Sequence, residues 1–358
     1  MQVHPGQLQD GCVITKDVVG LSKHPIMKRN TIVSEKHIQA LQHFNIAVVE
    51  VSESLASGKP FVPSKKVKPA RQEPQLPTKP VFHTVYEGTV AAYKKMFQGW
   101  QGGIGIDLPQ VRQLLSPLLA YVRQGDFSIL SLSNQATAKD YFFHHGVSVS
   151  LLAADLAKRL GYKQEWFQVG MAAFLMDSGM AKLHNNFLEK SAALTEAEWN
   201  EIKQHPVWSY RMVEHVSLMA SEMKLAVLQH HERMDGSGYP LGVEGAMVHP
   251  FAQILAVSDV YHAMTTGRVY QKPQTPFQVV EEIQKQKHHQ LDFATVEAFM
   301  DVWERQIAGA QVLLSNGEAA TIVYLDRQNP SRPIVRLLHN DQIVQLTKDQ
   351  HLAVEEIL

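Results

Sequence analysis

The string His230-His231-Glu232-Arg233-Met234-Asp235-Gly236-Ser237-Gly238-Tyr239-Pro240 sets two adjacent histidines at the end of an apolar helical stretch and follows them with a glycine-rich turn. Neighbouring side chains on a helix point about 100° apart, so both rings reach one centre only where the helix end faces it. Gly236 and Gly238 allow the backbone to fold tightly over such a centre. His145 follows the aromatic run Tyr141-Phe142-Phe143-His144, His205-Pro206 opens a further helix, and Asp259 interrupts the apolar run from Ile254 to Val260. Asp177 falls in an apolar stretch, Met171 to Met180, read as one helix. A carboxylate there needs a partner or a metal to offset its desolvation. Four histidines and two aspartates on five successive helices make a nitrogen and oxygen donor set. It suits iron, manganese or zinc and does not suit copper(I) or an iron–sulfur cluster. The competing expectation is that each group hydrogen-bonds separately to its neighbouring helix. The chain has 18 histidines; His4, His24, His37, His43, His339 and His351 have no partner at ligand spacing and read as surface residues.

The elements that must position these groups are helical. From about Val81 to Ala308 the apolar residues recur at helical spacing, as in Ser148, Leu151, Leu152, Leu156 and Leu160, and again over Val207–Met219, Lys224–His231 and Gln278–Gln284. Residues 11–57 instead alternate short β-like runs, Cys12–Thr15 and Ile46–Val51, with one helix-like stretch from Ser34 to Phe44. Six prolines and six basic residues then fill Gly58–Pro80, a composition suited to an extended linker. The last fifty residues carry β-rich runs, Gln311–Leu314, Ala320–Tyr324 and Pro333–Leu337, separated by turn chemistry. The expected fold is mainly α: a helical bundle over 83–308, flanked by a small α/β module (1–57), a Pro/Lys-rich linker (58–82) and a small β module (309–358).

Composition removes several classes of function. The formal net charge is -1, which argues against a nucleic-acid duplex as partner, since that needs a basic excess to displace counterions. One cysteine, Cys12, excludes a disulfide framework and any multi-cysteine zinc site. The polar stretch Met1–Asp10 carries no apolar signal core, and no apolar run reaches the 18 or so residues of a membrane span. These features predict a cytoplasmic protein with no membrane partner.

The stretch from His145 to about Phe299 resembles the HD-GYP domain, a helical metal-dependent phosphohydrolase family whose members hydrolyse cyclic di-GMP. The resemblance rests on His145-Gly146-Val147-Ser148-Val149, Lys203-Gln204-His205-Pro206, His230 through Pro240, Val257-Ser258-Asp259-Val260-Tyr261 and Thr265-Thr266-Gly267-Arg268-Val269-Tyr270. It implies an HD-type bundle and a two-metal site. His205, His230 and His231 would hold one metal, and Asp177 would bridge to a second held by His145 and Asp259. Metal-activated water would attack phosphorus in line. Arg268 would contact a phosphate, and Asp235, Gly238, Tyr239 and Pro240 would shape a substrate wall or a partner-facing surface.

The chain departs from the family where His-Asp-x-Gly-Lys is expected and Met176-Asp177-Ser178-Gly179-Met180 stands. One ligand of the second metal and the lysine near the scissile phosphate are both replaced by methionine, whose thioether is a poor donor for iron(II) or manganese(II). Lys182 and His184 lie nearby, Lys182 on a different helical face from the family's lysine. The resemblance thus implies a cyclic di-GMP phosphodiesterase, acting on that or a related cyclic dinucleotide. Iron or manganese would be its metal, with zinc as the alternative; one metal would be held strongly and the second weakly. The alternative function is a non-catalytic module that binds a cyclic dinucleotide, or a protein through the Gly-Tyr-Pro face, in bacterial signalling.

Overall fold

The computed structural model describes the whole chain except residues 4, 20–24, 36, 39–40, 42–45, 47, 64–81, 133–139, 184–193, 267–272 and 350. It divides into two compact units, Met1–Lys79 and Pro80–Leu358.

In the first unit, β1 (Gln2–Val3) pairs antiparallel with β4 (Val49–Glu50), and β2 (Val18–Val19) with β3 (Pro25–Met27). The expected strand at Cys12–Thr15 exists only as single bridges, Val13 to Ile32 and Ile14 to Val51. Of the run Ile46–Val51, only its end forms a strand. The expected helix Ser34–Phe44 falls largely outside the described residues; Glu35, His37, Ile38 and Leu41 within it are helical. Ile14, Val33, Leu41 and Val51 build the core, and Phe61 packs into it. The beginning of the proline-rich segment therefore belongs to this unit, because an aromatic ring there finds apolar surface to cover. The rest of that segment, 64–81, lies outside the described residues.

The second unit is the helical bundle. Its helices are α1 (Phe82–Gln101), α2 (Leu108–Gln124), α3 (Tyr141–Arg159), α4 (Trp166–Leu175), α5 (Glu196–Ile202), α6 (His205–Val213), α7 (Ser221–Gln229), α8 (Pro250–Thr265), α9 (Pro276–Gln286) and α10 (Phe293–Ile307). Local chemistry sets several of their starts. The Asp107 side chain accepts from Gln110 N ahead of α2, and Thr195 with Glu198 forms a capping box on α5. Helix α3 is buried continuously from Phe142 to Ala157, the pattern of a helix surrounded by others on every side. It packs along α4, α8 and α2 and is the axis of the bundle. Helix α6 ends at Val213, short of the Met219 that periodicity predicts.

A five-stranded antiparallel sheet closes the chain in the order β8 (Ile343–Gln345), β7 (Ile334–Leu337), β6 (Ala319–Tyr324), β5 (Gln311–Leu314), β9 (Val354–Ile357). Val312, Leu314, Ile322, Val335 and Leu337 join the same apolar core as the helices. Arg327, just beyond β6, pairs with Glu297, Asp301 and Glu304 along α10. Between residues 140 and 300 no parallel sheet occurs among the described residues; the one β contact there is the bridge Asp235 to Glu244.

Candidate metal centre

Five segments meet at one place. His145 sits in the first turns of α3, Asp177 just after α4, His205 at the first residue of α6, His230 and His231 immediately after α7, and Asp259 in the middle of α8. The geometric condition on an adjacent histidine pair is met, because the C-terminal end of α7 faces the centre. Asp177 differs from expectation. It is not inside a helix: α4 stops at Leu175, and Asp177 precedes a short 3-10 turn, Ser178–Lys182. The reason is Gly179. A Cβ there would meet the His205 carbonyl oxygen at 2.2 Å and Ser209 N at 2.4 Å, and the Gly179 N–H donates to Ser209 Oγ at 2.7 Å. The turn is pressed against the start of α6, which brings Asp177 to His205.

The donor atoms converge. Asp177 Oδ1 lies 3.0 Å from His205 Nε2 and 3.5 Å from His230 Nε2, while Asp177 Oδ2 lies 3.7 Å from His145 Nε2. His145 Nε2 is 3.1 Å from Asp259 Oδ1, and His231 Nδ1 is 3.6 Å from Asp259 Oδ2. One donor atom from each of Asp177, His205, His230 and His231 falls within 4.8 Å of every other. That is a cluster able to bind a metal, and Asp177 links it to His145 and Asp259.

Hydrogen bonding supports the same conclusion. His205 Nδ1 is 2.7 Å from the Ile202 carbonyl, and His230 Nδ1 is 2.8 Å from the Val227 carbonyl. A carbonyl can only accept, so both rings carry their proton on Nδ1 and are bare at Nε2 when neutral. The two Nε2 atoms are 3.1 Å apart and share one carboxylate oxygen. Opposed lone pairs beside an anion are stabilised by a cation between them, and metal-ligating histidines are oriented by this kind of outer contact. Without a cation, burial pushes the Asp177 carboxyl up, while hydrogen bonding and charge from the His205 and His230 rings outweigh it and hold it well below the usual carboxylate range; a metal between the Nε2 atoms would take over that role. Burial likewise opposes ionisation of Asp259, and His145 and His231 reverse the balance. Burial, with His230 beside it, pushes His231 well below its ordinary value, which leaves a neutral ligand. Asp177 and Asp259 as carboxylates and His231 as a neutral ring are the forms that metal binding requires.

The glycine-rich loop walls this centre. The Tyr239 ring stacks on His231, with centroids 4.7 Å apart, and Pro240 follows it. A Cβ on Gly238 would meet Arg233 N at 2.4 Å and Glu232 Cα at 2.5 Å, so only glycine lets the loop close. Asp235 is exposed and caps its own turn, accepting from Ser237 N and Oγ, so it shapes the loop. Met176 is fully buried beside Asp177, and Met180 packs against the apolar core. Lys182 donates to the Trp100 carbonyl at 2.6 Å, closing the end of α1, and does not replace the missing lysine. Arg268 and His184 lie outside the described residues.

Three residues escaped the sequence reading. His262 is fully buried, with its Nδ1 3.1 Å from His145 Nδ1; the available signal was its place three residues after Asp259, on one helical face. The buried Glu232 carboxylate accepts from Leu241 N and Val243 N and anchors the loop. Lys203 Nζ lies 5.9 Å from the Tyr239 ring centre and 5.8 Å from that of Trp199. It adds a cation at the rim, and Trp199 is 44% exposed beside it.

Comparison with known proteins agrees with this geometry. The HD domain family model matches residues 130–295. A cyclic di-GMP phosphodiesterase of Pseudomonas aeruginosa is 29% identical over 234 residues, 65% of this chain and 56% of that protein. A cyclic di-GMP phosphodiesterase response regulator of Xanthomonas campestris is 33% identical over 154 residues, 42% of this chain and 41% of that protein. A 3'3'-cGAMP-specific phosphodiesterase of Vibrio cholerae is 33% identical over 141 residues, 39% of this chain and 32% of that protein. The chain thus spans roughly half the length of the first two and a third of the last. Among solved structures, Bd1817, a HDG"Y"P protein of Bdellovibrio bacteriovorus, superposes with a TM-score of 0.50 at 14% identity, over 85% of this chain and 99% of that one. The fold is that of an HD protein, the HD domain family model matches the central segment, and the donor set and the Gly-Tyr-Pro loop of that segment resemble those of the HD-GYP type.

Proposed function

We propose that this chain is a metal-dependent phosphodiesterase that hydrolyses cyclic di-GMP or a related cyclic dinucleotide. The observation that carries the reading is the pair of bare Nε2 atoms of His205 and His230, 3.1 Å apart against Asp177. His205, His230, His231 and Asp177 would hold one metal, and Asp177, His145 and Asp259 a second. Iron or manganese suits this set, with zinc as the alternative. Bound metal would supply Lewis acidity and a nucleophilic water at neutral pH.

The protein's own groups do the rest. Asp177 is shared between the two halves and keeps its charge. Tyr239 holds the His231 ring by stacking. Lys203 at the rim offers a charge to a phosphate, in the role the family gives to the lysine replaced by Met180, and Arg268 is assigned a second phosphate contact. The names of the relatives support cyclic di-GMP first and 3'3'-cGAMP second as substrate.

A second reading is favoured by Met176, which leaves the half with His145 and Asp259 one donor short. In it, the domain binds a cyclic dinucleotide without turnover, or a protein through the Gly-Tyr-Pro face. Protein purified without chelator, supplied with manganese or iron(II) and then with cyclic di-GMP, separates the two. Conversion to the linear dinucleotide, abolished by Asp177→Asn, supports the phosphodiesterase. Saturable binding without product supports the second reading.

A further inference from the structure

His262 reaches His145 on the ring edge opposite the one that faces Asp259. Resting on the reading of His145 as a ligand through Nε2, we propose that His262 is a positioning residue that sets the tautomer of His145 and so decides whether the second metal position can be filled. The two Nδ1 atoms are 3.1 Å apart and both rings are buried. Such a contact holds when one nitrogen carries a proton and the other is bare.

With both rings neutral, as a metal ligand must be, two arrangements satisfy it. In the first, His145 is protonated on Nε2 and points that proton at Asp259 Oδ1, 3.1 Å away. Its bare Nδ1 then accepts from His262 or from the Tyr141 hydroxyl, which lies at 3.2 Å, and the position is closed to a cation. In the second, His145 carries its proton on Nδ1 and donates it to His262 Nδ1. His262 is then protonated on Nε2, 3.4 Å from the buried Thr266 Oγ1. This chain, His145 to His262 to Thr266, leaves His145 Nε2 bare toward Asp259 and Asp177. Only the second arrangement admits a metal.

The geometry also explains an inequality. His205 and His230 are held by backbone carbonyls, which accept and never donate, so their tautomers are fixed. His145 is held by an imidazole that can do either. Filling the second position must therefore select one tautomer pair from two, a cost that the first position does not have.

Metal binding by the full chain tests this, with chelator-stripped protein titrated with manganese and bound metal counted by elemental analysis. His262→Leu removes the acceptor. His262→Asn keeps one, because its Oδ1 stands one bond beyond Cγ, where Nδ1 stood. His262→Asp adds charge, as in the carboxylate–histidine pairs of many metal sites. The expected result is that Leu weakens the second equivalent by about 10–100-fold with the first unchanged, Asn restores it, and Asp tightens it beyond the unmodified protein. Melting curves separate a misfolded Leu variant from a selective loss, and the Asn–Asp comparison stands without it. Equal second-equivalent affinity in the Leu and Asp variants would overturn the proposal, as would its loss in Tyr141→Phe instead. No metal bound by the unmodified protein would overturn the reading on which it rests.

Discussion

His205 and His230 are fixed by their own backbone environment, each ring donating to the carbonyl three residues earlier. Their Nε2 atoms are presented to Asp177 before any ion arrives. On the proposed reading that preorganisation favours His205, His230, His231 and Asp177 as the stronger position. Asp177→Asn should remove tight metal binding, since it takes away the anion that, among the described residues, both Nε2 atoms face. Metal content after dialysis would show it. On the same reading the half with His145 and Asp259 is one donor short, because Met176 stands where the resemblance implies a histidine. Met176→His should tighten the second metal by at least about tenfold and raise hydrolysis at low metal, and Met180→Lys should add to the rate. An unchanged metal titration for Met176→His would show that the buried position cannot turn toward the site. Lys203→Ala should raise KM for cyclic di-GMP several-fold, because Lys203 offers its charge from beside Tyr239 and Trp199.

At the scale of elements, the site depends on how tightly a turn is pressed against a helix start. Gly179→Ala would put a methyl group 2.2 Å from the His205 carbonyl oxygen. Neither atom belongs to a flexible side chain, so the turn or α6 must move. The expected cost is about 1–3 kcal/mol, read by urea denaturation, with loss of metal affinity because Asp177 and His205 separate. An Ala variant as stable and as metal-competent as the parent would contradict the packing argument. This contact was not legible in the sequence. The run Met171–Met180 is apolar throughout, and nothing in its periodicity shows that the helix must stop so that Gly179 can approach α6. His262 escaped for a related reason: its spacing from Asp259 was visible, but its partner lies 117 positions away. What could be read was the chemistry written locally: the His-His pair with its glycine turn, the carboxylates in apolar runs, and the helical spacing around them. Of the N-terminal β-like runs, Ile46–Val51 ends in a strand, whereas Cys12–Thr15 supplies only isolated bridges.

For the whole molecule, charge buried at one centre couples metal to stability. Saturating metal at about 100 times its Kd should stabilise the protein by about 2.7 kcal/mol, a rise in Tm of several degrees that differential scanning fluorimetry would read. Acid should act the other way. His231, His144 and His249 all have folded values below the ordinary one, burial being the largest cause in each. The unfolded chain therefore takes up protons first, and stability falls as pH drops below about 6.5. Asp177 and Asp259 are also held below their ordinary value; their contribution is present above about pH 4 and is lost as pH falls further toward their folded values. Metal-free protein should hold its Tm from pH 8 to 7 and lose it progressively from about 6.5 to 5. A Tm unchanged down to pH 5 would count against the buried neutral histidines.

The most direct measurement is the rate of cyclic di-GMP hydrolysis plotted against the number of metal ions actually bound, starting from chelator-stripped protein. On the proposed reading two ions share the activation of water and the stabilisation of the phosphoryl oxygens, and the two halves of the site hold them unequally. The first equivalent should therefore bind tightly with little turnover, and activity should rise only as the second, weaker equivalent fills. Two equivalents of equal affinity, or full activity at one, would contradict the account.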